Sequence, residues 1–190
     1  GANSGRMISL GLIEDLEELA ESDFLVILNN FSRFALDDPD PAVRTVAVRM
    51  LWDDPDLSLI AVFTRMLLED TEPTVRAAAA SALGMFVYLG ELEEIPAEKH
   101  QAVEDSLLRV MGSPEQSIVR RRALESLGFS SRDEVVGLIQ SGFDSSDIDW
   151  QTSALYAMGR SADPRWEQAV LSMLDHEDTG VQTESVRAAG

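Results

Sequence analysis

Val75-Arg-Ala-Ala-Ala-Ala-Ser-Ala-Leu-Gly84 is the stretch that decides the fold, because four further copies of it run along the chain. They are Val43-Arg-Thr-Val-Ala-Val-Arg-Met-Leu-Trp52, Val119-Arg-Arg-Arg-Ala-Leu-Glu-Ser-Leu-Gly128, Trp150-Gln-Thr-Ser-Ala-Leu-Tyr-Ala-Met-Gly159 and Val181-Gln-Thr-Glu-Ser-Val-Arg-Ala-Ala-Gly190. Successive copies start 32, 44, 31 and 31 residues apart. A period in that range means supersecondary units stacked into a solenoid, each too small to bury its apolar side alone.

Within each copy the apolar or small residues fall at offsets 0, 4, 5 and 8, as in Val75, Ala79, Ala80 and Leu83 or Val119, Ala123, Leu124 and Leu127. That spacing is the stripe of an amphipathic helix. Three residues ahead of the copies stand Asp40, Glu72, Gln116, Asp147 and Asp178, four of them acids, where an N-cap and the helix dipole favour negative charge. Pro41 and Pro73 fit the first helical position, which has no amide to lose. Gly128 and Gly159 read as helix stops, whereas the helix after Gly84 continues to Gly90. A second amphipathic helix precedes each copy, at about 23–36, 56–69, 99–112, 132–142 and 164–175. The unit is thus an antiparallel helical hairpin, with repeats at about 23–53, 54–90, 99–129, 131–160 and 163–190. The long step of 44 is assigned to an acidic insertion loop at 91–98, and residues 12–21 form a short amphipathic helix that caps the stack.

With 190 residues and 45% hydrophobic content, the chain supports one domain over 8–190. Gly1–Met7 reads as a vector-derived leader without signal-peptide character. The formal charge of −19 disfavours binding to phosphate backbones and makes cationic proteins or peptides the favoured partners. There is no cysteine, so disulfides, cysteine-ligated metals and thiol catalysis are excluded, and a reducing, cytoplasmic location is expected. No apolar run reaches the roughly 18 residues of a membrane span.

A hairpin of about 31 residues with an acid-rich turn, then Val-Arg, Ala and Leu-Gly along its second helix, resembles the HEAT repeat. The form ending in Leu-Gly is similar to the short bacterial repeats of phycobilin lyases and many scaffold proteins. The resemblance covers residues 23–190 and implies an all-α fold, a right-handed α-solenoid of about five hairpins whose second helices line the concave face. It also implies a ladder in which the Arg after Val pairs with a turn Asp. Arg44, Arg76 and Arg120 match, with Asp38 and Asp70 suitably placed, while Gln151 and Gln182 interrupt the ladder in the last two units.

If offsets 0, 4, 5 and 8 face the core, offsets 2 and 6 face outward. The expected partner-binding residues are therefore Thr45, Arg49, Ser81, Arg121, Glu125, Thr152, Tyr156, Thr183 and Arg187, together with Trp52 at offset 9 and Ala77 on the same face. Arg120-Arg-Arg122 is the sharpest basic spot, joined by Arg109 or Arg132. It suits an acidic peptide, or else combines one ladder Arg with two solvated ones. Trp52 is either a core plug or a contact residue, and Trp150 occupies a core position.

Catalytic chemistry is sparse. The two histidines, His100 and His176, give little acid–base or metal chemistry. Deoxyhypusine hydroxylase, built on similar repeats, carries a helical His-Glu pair for iron. Here the matching positions hold other residues, and His176-Glu177 lies in a turn. Asp144–Asp149 lacks the glycine and terminal Glu of a calcium loop and reads as a turn with an N-cap. The expectation is a non-enzymatic scaffold without cofactor. The alternative, from the resemblance, is a chaperone-like subunit of a phycobilin lyase, marked by paired aromatics and an Arg for tetrapyrrole propionates. Val186, Ala188 and Ala189 at the C-terminal end leave a face for a dimer partner or further repeats.

Overall fold

The computed structural model describes residues 22–190, with side chains from residue 29 onward. The capping helix expected at 12–21 and the leader at 1–7 lie outside the described residues. Five hairpins follow one another: α1 (Ser22–Ala35) with α2 (Pro41–Met50), α3 (Ser58–Glu69) with α4 (Pro73–Glu91), α5 (Ala97–Met111) with α6 (Ser117–Leu127), α7 (Asp133–Phe143) with α8 (Ile148–Ser161), and a 3-10 turn (Pro164–Trp166) plus α9 (Glu167–Ser172) with α10 (Thr179–Ala189). Among the described residues there is no strand, and no helix is long and apolar enough to cross a membrane. The last unit departs most from expectation, since a 3-10 turn and six helical residues replace the helix anticipated at 164–175.

Side chains fix the helix starts at one or two successive positions. Asp40, Asp147 and Asp178 accept backbone N–H bonds from the first turns of α2, α8 and α10. Glu72 and Gln116 make no such side-chain cap. One step earlier, the carboxylates of Asp38 and Asp70 accept from the N–H groups of Asp40 (2.8 Å) and Glu72 (2.9 Å). In the later units the Ser145 hydroxyl (3.1 Å) and His176 Nδ1 (3.0 Å) accept in the same way from Asp147 and Asp178. Asx-type bonds of this kind set the angle at which each turn enters its helix.

Gly128 caps α6 as anticipated, but Gly159 does not end α8, which runs on to Ser161 and closes at Ala162 with φ 48°. The copy-ending glycines serve packing instead. A Cβ at Gly84 would lie 2.8 Å from Ser126 Oγ, and one at Gly159 would lie 3.0 Å from Ala188 Cα. The second helices therefore touch through their smallest residues and form a continuous row, α2–α4–α6–α8–α10, with α4 against α6 the most extensive contact. The first helices are more loosely apposed, meeting appreciably only where α3 approaches α5. The stack is therefore packed more tightly along its second helices than along its first helices.

The extra residues of the 44-residue step are mostly helical, not looped. They lengthen α4 to 19 residues and α5 to 15, and residues 92–96 alone make the connection, pinned by buried Ile95.

The expected stripes are the core. Val43, Ala47, Val48, Val75, Ala79, Ala80, Leu83, Val119, Ala123, Leu124, Leu127, Ala154, Leu155, Met158 and Val181 are buried, with Phe63, Phe86 and Leu107 filling in from other faces and helices. Each fully buried large side chain contributes about 1.5–3 kcal/mol, against about 0–1 kcal/mol for a solvent-exposed ion pair.

The Arg ladder is real and stops early. Arg44 makes two bonds to the Asp70 carboxylate (2.8 and 2.7 Å), crossing from the first unit to the second. Arg76 does the same to Glu115 (2.7 and 2.9 Å), crossing to the third. Burial opposes ionisation of Asp70, but bonds from Arg44 and the Glu72 N–H outweigh it and hold its carboxyl below the usual range. The Arg76 bond does the same for Glu115 against burial. Arg120 breaks the series: the next turn places Ser145 where an acid would stand, and the guanidinium lies over the Trp150 ring (5.4 Å) and donates to the Met111 carbonyl (3.2 Å).

Candidate partner-binding groove

The row of second helices divides into an open half and a closed half. In the open half, a groove of about 450 Å³ runs across α2, α4 and α6. Its floor is Ala77, Ala78 and Ala82, small residues that keep the helix surface low. One side carries Arg49 and Trp52 at the end of α2, and the other carries Ile118 and Arg122 on α6. Trp52 stands at the offset that later copies fill with glycine. Its indole is 55% exposed and forms a wall of the groove. Of the two readings of Trp52, this placement is that of a surface residue. Arg49 is exposed and has no ion-pair partner among the described residues, whereas Arg122 is bound to Glu125 at 2.6 Å.

The closed half is self-satisfied. Glu125, expected to face outward, is buried, accepting from Ser153 Oγ (2.7 Å) and from Arg122. Ser153 on α8 and Arg122 on its own helix enclose the Glu125 carboxylate. Tyr156 is half-buried, and its hydroxyl accepts from Arg160 (2.8 Å). The Arg160 guanidinium lies 4.5 Å from both the Tyr156 and Phe129 ring centroids and donates to the Glu125 carbonyl (3.0 Å). Burial works against the charge of Arg160, partly offset by Tyr156 and Glu125. Tyr88 packs on Phe129 with centroids 5.1 Å apart, completing an aromatic–cation cluster. At the C-terminal end Arg187 is exposed and pairs with Glu184 at 3.2 Å.

The hydroxyls of the expected surface mostly bond their own helix. Thr45, Thr152 and Thr183 donate to the carbonyls of Pro41, Ile148 and Thr179 at 2.7–2.8 Å, and Ser81 donates to Ala77 at 3.3 Å. Ala77, expected outward, is buried on the groove floor. The arginine run Arg120–Arg122 is not one basic patch. Arg120 turns to Trp150, Arg121 to Asp149 (2.9 Å) and Arg122 to Glu125, while Arg132 lies between Asp105 and Glu134. Arg160 and Phe129 were missed by the offset argument, yet both occupy the position directly after a copy-ending glycine, so offset 10 was the available signal.

A family model for HEAT repeats matches residues 32–128. The chain belongs to the HEAT-repeat family. The matched span starts in α1 and ends at Gly128, covering the HEAT units in which the Arg–carboxylate ladder operates. The remaining two HEAT units carry Gln at the ladder position. No curated protein matches the chain. HEAT repeats generally mediate protein–protein interaction, and the family is typically a non-enzymatic scaffold.

Proposed function

We propose that this HEAT protein is a non-enzymatic scaffold that holds a segment of another protein along its second helices, anchored in the α2–α4–α6 groove. The observation that carries this reading is the pairing of a flat alanine floor with an exposed tryptophan wall and an arginine on each side. Tryptophan and arginine are among the side chains enriched in binding hot spots. The occupant that fits is a segment with an apolar side chain flanked by carboxylates. The chain's overall negative charge does not oppose this, because at physiological salt fields are screened beyond about 8 Å, and of the near charges Arg49 has no ion-pair partner among the described residues while Arg122 is paired with Glu125. The acidic turns remain the surface for a basic partner. A tetrapyrrole would call for paired aromatics and a free Arg; the groove offers Trp52 alone, and in the Tyr88–Phe129–Tyr156 cluster Arg160 is already bonded to Tyr156 and the Glu125 carbonyl, which favours the scaffold.

The test is anisotropy titration with labelled peptides carrying a central Leu or Phe, flanked in one set by Glu and in the other by Lys. The expected result is at least tenfold tighter binding of the Glu set, a difference of about 1.4 kcal/mol, lost in Arg49→Glu and Trp52→Ala. Equal binding of both sets, or binding unchanged in the variants, would overturn the groove assignment.

A further inference from the structure

The long end of α4, the start of α5 and the α6–α7 turn converge on a set of side chains that the protein-binding reading does not use. His100 Nε2 lies 3.7 Å from Glu91 Oε1 and 3.6 Å from Glu104 Oε1. The three ligand atoms all fall within 4.8 Å of one another. Nε2 is buried and has no hydrogen-bond partner among the described residues, although it faces two carboxylates. A proton on this nitrogen would serve one acceptor at most, and at these separations it serves neither well.

A tetrahedral ion with bonds of about 2.0–2.2 Å places its ligand atoms roughly 3.3–3.6 Å apart. The two His–Glu separations lie at the upper edge of that range, and a small rotation of Glu91 at the helix end brings in the third. The surroundings are arranged as an outer shell. Ser130 Oγ donates to the same Glu104 oxygen that faces His100. The Ser131 N–H donates to the same Glu91 oxygen at 2.8 Å. Such bonds orient ligand carboxylates and leave lone pairs for a metal. Arg132 approaches the other Glu104 oxygen at 3.9 Å but is engaged more closely by Asp105 (2.6 Å) and Glu134 (3.1 Å). Gly90 is the seat of the imidazole: a Cβ there would lie 2.1 Å from His100 Cδ2, so any other residue would displace the ring.

We propose that Glu91, His100 and Glu104 form a binding site for a divalent transition-metal ion of the zinc class, which ties the overhanging end of α4 to α5 and, through Ser130 and Ser131, to the fourth unit. One imidazole with two carboxylates suits zinc, manganese or ferrous iron, whereas magnesium and calcium prefer all-oxygen sites. The site sits at the one irregular step of the stack, where regular repeat packing is interrupted.

The test is calorimetric titration of the metal-stripped full chain with zinc chloride, in the presence of millimolar magnesium. One saturable site per chain is expected, abolished in His100→Gln, weakened at least about tenfold in Ser130→Ala, and unchanged in His176→Ala, which removes the other histidine. A second readout keeps the result independent of packing around His100: zinc should raise the melting temperature of the parent but not of Glu91→Gln, whose side chain lies at the surface end of α4. Absence of saturable binding, retention of the site in His100→Gln, its loss in His176→Ala, or equal zinc stabilisation of parent and Glu91→Gln would each overturn the proposal.

Discussion

Ala157 crosses Gly128 so closely that a Cβ on the glycine would sit 2.7 Å from the Ala157 Cα and 2.8 Å from its carbonyl oxygen. Both of those atoms are backbone, so relief requires α6 and α8 to separate. Gly128→Ala is therefore expected to destabilise the chain by about 1–3 kcal/mol. Gly137, inside α7, has nothing within 4 Å of its would-be Cβ, and Gly137→Ala should stabilise by about 0.5–1 kcal/mol through helix propensity. Urea midpoints of the two variants should move in opposite directions.

The ladder gives a prediction with a pH sign. Arg44–Asp70 and Arg76–Glu115 are bidentate and at most 16% exposed, so double-mutant cycles on each should show coupling of about 1–2 kcal/mol. Arg120, stacked on Trp150 without an acid, should lose only about 0.5–1 kcal/mol on Arg120→Ala. The folded-state carboxyls of Asp70 and Glu115 are held below their unfolded values. Their contribution is therefore full above the unfolded carboxyl range near pH 4 and is lost as pH falls through the folded values. Asp70→Asn should accordingly flatten the fall in stability measured between pH 5 and pH 3.

Trp52 and Trp166 separate surface from core. Trp52 is 55% exposed and Trp166 is 6% exposed. Trp166→Ala should cost about 3–5 kcal/mol, whereas Trp52→Ala should fall within about 0.5 kcal/mol of the parent. Thermal unfolding of the two variants checks this, and a large loss at Trp52 would return that residue to the core.

The hairpins, the core stripes and most helix starts were legible because one period of apolar residues and one capping position recur five times. Offset arithmetic was less able to say which outward positions stay open. Glu125 shares an offset with exposed Arg49, yet it is buried and bonded to Ser153 on the next helix and to Arg122. That burial depends on what stands opposite each residue in the neighbouring unit. Gly159 was read as a helix stop and Gly84 as an ordinary helical position, when both make room for a neighbouring helix, since a glycine looks the same in sequence whether it frees the backbone or makes room. His100 was set aside for metal chemistry because the carboxylates that face it lie nine residues before it and four after it, on two different helices, and the loop between them hides that they meet.

Repeat arrays whose units touch only their neighbours can unravel piecemeal from either end. Here α4, the longest helix among the described residues, packs against α2, α3, α5 and α6 together, spanning three hairpins as a mast spans its stays. Loss of any one of those hairpins strips support from this shared member, so the first three units are expected to melt as a single block. Farther along, α8 plays the same part, packing against α6, α7 and α10, and the two blocks meet in the third hairpin.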